Sequence, residues 1–285
     1  MLTRIITAIV AVIVFLPALI FSGTWVFPVY MALCAFVGCY EMLSCIGQKK
    51  NWFLLVPMGA MALFFPLYMR YCSKNGSLEE FLMLAILVSL VMALYVFSVA
   101  VFDHKRIKIT DAGLYIASCL YVIAAFTSIV YIRDFIAGGE YIYLLTFICA
   151  WTTDVFAYFT GRFLGKHKLI PAVSPKKTVE GAVGGIVFCV VAMVAFGFVI
   201  ERFFSGNQGF EAIYIVLAIS GIFISIVSQT GDLIMSVIKR HYGIKDYGKI
   251  FPGHGGILDR FDSVLAVSII IALICTYFDM FAITI

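Results

Sequence analysis

The sequence predicts an all-α, polytopic integral membrane protein with about nine transmembrane helices. Hydrophobic residues make up 63% of the chain and charged residues only 13%, about half the share a soluble domain carries. The apolar runs are long and unbroken, whereas a membrane β-barrel would alternate with period two. At about 20 residues per span, nine spans would use roughly 180 residues, close to the apolar fraction of this chain.

The first segment, 5–21, follows a single arginine and has the look of a secretory leader. Everything downstream is also apolar, so it is taken as a span that pairs with the next. Ser22-Gly23-Thr24 forms a tight hairpin into the second segment, 25–45. Further spans are expected at 52–69, 80–101, 112–132, 141–160, 179–199, 212–234 and 263–285. The eighth is the most polar, with Ser225, Ser228, Gln229 and Thr230 near its end. The chain is expected to form one integral membrane unit. Residues 1–140 would supply a helical scaffold with room for dimer contacts, and 141–285 the active part, because the connections 161–178 and 235–262 hold most of the polar chemistry.

Positive charge orients the bundle. The N-terminus and the even-numbered connections carry 16 of the 20 basic residues, and only Arg70, Lys74, Arg133 and Arg202 lie on the other side. That asymmetry places the even connections in the cytoplasm, so the active face of a multi-pass protein of the cell (inner) membrane would be cytoplasmic. The eight cysteines are scattered through apolar segments without a CxxC pair, as expected of small buried hydrophobes. Four histidines, at 104, 167, 241 and 254, form no metal-binding pair.

Two stretches carry the chemistry. In the first, 151–181, Asp154 falls inside or at the end of the sixth span, with Tyr158 one turn later on the same face. Arg162, Lys166, Lys168, Lys176 and Lys177 follow. Basic loops usually serve only as anchors, but Ser174-Pro175 has the form of a helix N-cap followed by proline at the first helical position. Such a start would present free N–H groups beside Lys176 and Lys177, a setting for phosphate. Glu180 enters the seventh span, where simple anchoring has no use for it. Gly161-x3-Gly165-Lys166 is one residue too short for a P-loop and has His167 where Ser or Thr would bind Mg²⁺. Gly181, Gly184 and Gly185 have the spacing of close helix packing.

In the second stretch, 229–262, Asp232 ends the eighth span, Asp246 lies between Lys245 and Lys249, and Asp259 and Asp262 are three apart where the ninth helix starts. One acidic residue there would complement the helix dipole; several beside Lys239, Arg240 and Arg260 suit a metal ion bridging carboxylate and phosphate. Pro252-Gly253-His254-Gly255-Gly256 lets the main chain approach an oxyanion closely. His254 suits either a hydrogen bond to phosphate or a plain loop role.

The string Ser236-x2-Lys239-Arg240-x4-Lys245-Asp246-x5-Pro252-Gly253-His254-Gly255-Gly256-x2-Asp259-Arg260-x-Asp262 resembles the signature of the phosphatidate cytidylyltransferases, or CDP-diacylglycerol synthases. Ser174-Pro175-Lys176-Lys177-Thr178-x-Glu180-Gly181 is similar to a second block of that family. The two blocks cover about a third of the chain. The resemblance implies transfer of CMP from CTP to phosphatidate, giving CDP-diacylglycerol and pyrophosphate in phospholipid biosynthesis. It further implies an all-helical homodimer in the lipid bilayer with no nucleic-acid partner, one or two Mg²⁺ ions, and room for a monovalent cation. Asp232, Asp259 and Asp262 would hold metal, and Asp232, Asp259, Lys239 and Arg260 would be catalytic. Ser174, Lys176, Lys177, Thr178, Arg240, Lys245, Asp246, His254, Gly255 and Gly256 would bind substrate. The rivals are another CTP-dependent lipid enzyme, such as a polyprenol kinase or archaeol cytidylyltransferase, and an ion-coupled transporter using Asp154, Glu180 and Asp232.

Overall fold

A computed structural model describes residues 12–204, 210–253 and 255–283. Residues 5–11 of the first expected span and His254 lie outside the described residues. Ten helices follow in order: α1 (12–20), α2 (Val26–Cys45), α3 (Trp52–Asn75), α4 (Leu78–Phe102), α5 (Ile109–Phe135), α6 (Gly139–Ile142), α7 (Leu145–Phe163), α8 (Val179–Val199), α9 (Tyr214–His241) and α10 (Leu258–Tyr277). Two small antiparallel sheets pair β1 (Lys168–Ile170) with β2 (Ser174–Thr178) and β3 (Phe210–Ala212) with β4 (Phe281–Ile283). Among the described residues, seven helical segments are long and apolar enough to cross a membrane. These are Val26–Cys45, Trp52–Asn75, Leu78–Phe102, Ile109–Phe135, Gly139–Phe163, Val179–Phe204 and Tyr214–His241. The all-α, multi-pass reading therefore holds.

The chain divides into two compact units. The first comprises Met1–Tyr131 with His241–Phe261, and the second Ile132–Arg240 with Asp262–Ile285. In the first unit, α2 buries Phe27, Met31, Ala35, Cys39 and Met42, a helical stripe. A methyl at Gly38 would come within 2.9 Å of Val122 and 3.1 Å of Leu258, so glycine lets α5 and α10 approach α2. The expected hairpin at 22–24 is present. Buried Arg70 of α3 donates to the carbonyls of Gly23 (2.9 Å) and Ser22 (2.6 Å), which supplies partners for groups that the turn leaves unpaired.

In the second unit, α7 packs on α8. Added methyls at Gly181 and Gly184 would collide with Ala157 and Thr160, and one at Gly185 would sit tightly, 3.1 Å from Thr153 O, so the three glycines serve close packing, as expected. Thr153 Oγ1 and Ser225 Oγ lie 3.1 Å apart and tie α7 to α9. Seven of the eight cysteines are buried and all are free thiols.

Three expected boundaries change. The helix expected at Ser174 begins at Val179, because 174–178 is a strand and the cap is Thr178, whose Oγ1 accepts from Gly181 N at 3.1 Å. Proline's fixed φ and missing donor are compatible with an edge strand. The eighth span continues to His241, seven residues past its expected end. Ser236 and Lys239 on the added turns share one face with Asp232, and Ser236 Oγ donates to Asp232 Oδ1 at 3.3 Å. The last helix starts at Leu258 and stops at Tyr277, and 281–283 pair with 210–212 where the span was expected to continue; residues 284–285 of that expected span lie outside the described residues.

Candidate active site

In the second unit, α7, the β1–β2 hairpin, α8 and α9 enclose a cavity of about 440 Å³. Asp154 and Asp232 contribute carboxylates, and Arg162, Lys168, Lys176 and Lys177 contribute cations. Tyr158, Thr178 and Gln229 complete its polar lining. Lys177 Nζ sits 2.6 Å from Asp232 Oδ2, a charge-assisted contact. Tyr158 Oη accepts from Arg162 Nη1 at 3.0 Å. Asp154 Oδ2 accepts from Ser263 Oγ at 2.8 Å. Asp262, at the foot of α10, stands close enough to feel the charges of Asp232, Asp154 and Lys239. Lys239 is only 9% exposed.

The hairpin owes its shape to charge as well as to pairing. Glu180 Oε1 lies 2.6 Å from His167 Nδ1, and the same carboxylate accepts the His167 N–H. Glu180 thus closes the base of the hairpin at the entrance to α8 and does not line the cavity. Ser174 pairs with Ile170 in the sheet and is likewise absent from the cavity lining, whereas Lys176, Lys177 and Thr178 belong to it.

In the first unit, residues 245–253, Gly255 and Arg260 form a hollow of about 440 Å³. Lys245, Asp246, Lys249, Gly255 and Arg260 line it, with Phe251 and Pro252 as apolar wall. Asp259 Oδ2 accepts from Tyr247 N at 2.7 Å and from Gly256 N at 2.9 Å. The Gly256 N–H, expected to face an oxyanion, is therefore held by a protein carboxylate. Gly253 and Gly255 have φ of +79° and +85°, the left-handed region that favours glycine. Tyr242 Oη donates to Asp111 at 2.7 Å; burial, together with that bond, raises the phenol above its ordinary pKa. Arg240, at the end of α9, is exposed.

One residue escaped the sequence reading. Glu41 of α2 is 2% exposed, and its two oxygens accept from Ile257 N (3.0 Å) and Leu258 N (2.9 Å). It holds the first N–H groups of α10, where a carboxylate complements the helix dipole. Methyls added at Gly248 or Gly256 would overlap its carboxylate, so both glycines make room for it. The signal was a lone acid inside an apolar span, which by default marks a functional or structural site.

The chemistry of the second-unit cavity suits a polyanion. Four cations face a narrow space, with carboxylates at one side, as phosphates bound together with a hard metal ion require. Among the described residues no three Asp, Glu, His or Cys side chains form a ready-made metal cage.

Residues 2–278 match the model of a family described as the cytidylyltransferase family. The chain is 38% identical to a phosphatidate cytidylyltransferase of Staphylococcus saprophyticus, with 94% of this chain and 96% of the relative aligned. It is 35% identical to proteins of the same name from Staphylococcus haemolyticus and Staphylococcus aureus, over the same shares of each chain.

Proposed function

The chain belongs to the cytidylyltransferase family and makes CDP-diacylglycerol from CTP and phosphatidate in the membrane; from that premise we propose that the cavity beside Asp232 holds the triphosphate of CTP. The observation that supports this is the convergence of Arg162, Lys168, Lys176 and Lys177 on a space bounded by Asp154 and Asp232. A phosphate oxygen of phosphatidate attacks the α-phosphorus in line. The new P–O bond forms as the bond to the β-phosphate oxygen breaks, and pyrophosphate leaves. The phosphomonoester is already ionised near neutral pH, so the protein positions and neutralises charge without needing a general base.

Asp232 and Asp262 are the proposed holders of Mg²⁺, supported by their proximity to one another and to Asp154. Asp259 is assigned the same role on the strength of the signature alone. Bound there, the ion would neutralise phosphate charge and polarise the reacting phosphoryl group. Lys177, held by Asp232 in this structure, is placed to turn to phosphate once Asp232 takes the metal. Lys176 and Lys168 add charge, and Thr178 holds the start of α8 so that the lysines of β2 stay at the cavity. Lys239, buried and within electrostatic reach of Asp262, would stabilise the acidic turn of α10. Arg260, Arg240, Lys245, Asp246, His254, Gly255 and Gly256 are proposed substrate contacts from the signature.

The cytoplasmic placement of this face rests on the sixteen basic residues that share its side, and a homodimer is proposed from the family resemblance. The test is turnover with labelled CTP. Asp232→Asn should lower kcat by at least about 100-fold, the scale of losing transition-state electrostatics, while the protein still extracts as a folded species. Retained turnover in that variant would remove Asp232 from the mechanism.

A further inference from the structure

A larger cavity lies entirely within the first unit, where the start of α3 meets the end of α4. Its volume is about 850 Å³, within the range of small-molecule sites. Gln48, Lys49, Lys50 and Asn51 form one edge, and Asp103 and Arg106 the other. Trp52, Phe53, Val99 and Phe102 wall it. The edges are tied together: Gln48 Nε2 donates to Arg106 O at 2.9 Å, and Tyr95 Oη donates to Phe53 O at 3.0 Å.

Two features call for an occupant with both a charge and a tail. Lys49 and Lys50 have no ion-pair partner among the described residues, and Arg106 meets Asp103 only at 4.0 Å. The rim is therefore net positive. The wall below it is apolar and open: Trp52, Phe53 and Phe102 are 68%, 73% and 89% exposed. A free phosphate or nucleotide would satisfy the rim and leave the aromatic wall bare. A neutral lipid would do the reverse. Both helices are apolar enough to lie in a bilayer, and a basic pocket between such helices at the membrane surface is the setting in which anionic headgroups bind.

We propose that this cavity binds an anionic glycerophospholipid of the surrounding bilayer, its phosphate against Lys49, Lys50 and Arg106 and its upper acyl chain along Trp52, Phe53 and Phe102. The site does not depend on the catalytic assignment above, since none of its residues belongs to that machinery.

Trp52 provides the probe. Full-length protein carrying Trp25→Phe and Trp151→Phe is placed in vesicles containing dibrominated phosphatidylglycerol or dibrominated phosphatidylcholine over the same range of mole fractions. Phosphatidylglycerol should quench Trp52 at several-fold lower mole fraction. Lys49→Gln, Lys50→Gln and Arg106→Gln should each weaken that preference, and the triple variant should abolish it. A variant retaining only Trp151 should show no preference. Should the double-Trp variant fold poorly, native mass spectrometry of the unmodified chain against the triple Gln variant reads the same retention of phosphatidylglycerol. Equal quenching by the two lipids overturns the proposal, as does a phosphatidylglycerol preference that survives the triple variant.

Discussion

Lys177 and Asp232 are the contact on which the proposed site turns. At 2.6 Å the pair neutralises charge within the cavity, yet each partner is of the type required by phosphate or by metal. Lys177→Gln is expected to raise KM for CTP more than it lowers kcat, and Asp232→Asn to do the opposite; steady-state kinetics at varied CTP would separate them. Glu41 is the clearest instance of a residue acting at a distance in sequence. Removing a buried acceptor of two N–H groups costs about 1–3 kcal/mol, so Glu41→Ala should lower the thermal midpoint. Because a methyl at Gly256 would overlap that carboxylate, Gly256→Ala should abolish activity in the parent chain and do far less harm beside Glu41→Ala. A double-mutant cycle would measure the coupling, and additive losses would contradict the contact. Nothing in the local sequence around position 41 names its partners, which lie more than two hundred residues away; only the acid's presence in an apolar run was legible.

At the scale of elements, apolar runs disclosed the membrane helices and glycine spacing disclosed the α7–α8 contact. Gly184→Leu should destabilise the protein by about 1–3 kcal/mol through overpacking, since even a single added carbon meets Thr160; thermal unfolding in detergent would record it. What the sequence obscured were the ends. Ser174-Pro175 has the form of a helix start, but pairing with 168–170 made it a strand and passed the cap to Thr178. Thr178→Ala should therefore cost about 1 kcal/mol, and Ser174→Ala markedly less. Polar residues after 234 argued for a loop, yet Asp232, Ser236 and Lys239 share a helical face, so the polar turns were still helix. Tertiary partners decided both ends, and such partners are not written locally.

For the molecule as a whole, the charge asymmetry and the signature were the strongest messages. Seven of eight native cysteines are buried, which leaves a low background for labelling introduced ones. Cysteines placed at Lys50 and Lys166 should react from the cytoplasmic side in intact cells only after permeabilisation, and one at Lys74 before it. The family match spans the apolar half that carried no motif as well as the signature. The most direct test of the central claim follows label from CTP in purified protein with phosphatidate and Mg²⁺, beside Asp232→Asn and an EDTA control. Label should enter lipid with equal release of pyrophosphate, and both should vanish in the two controls. Transfer that persists undiminished in Asp232→Asn or in EDTA would contradict the account of a metal-assisted site at Asp232.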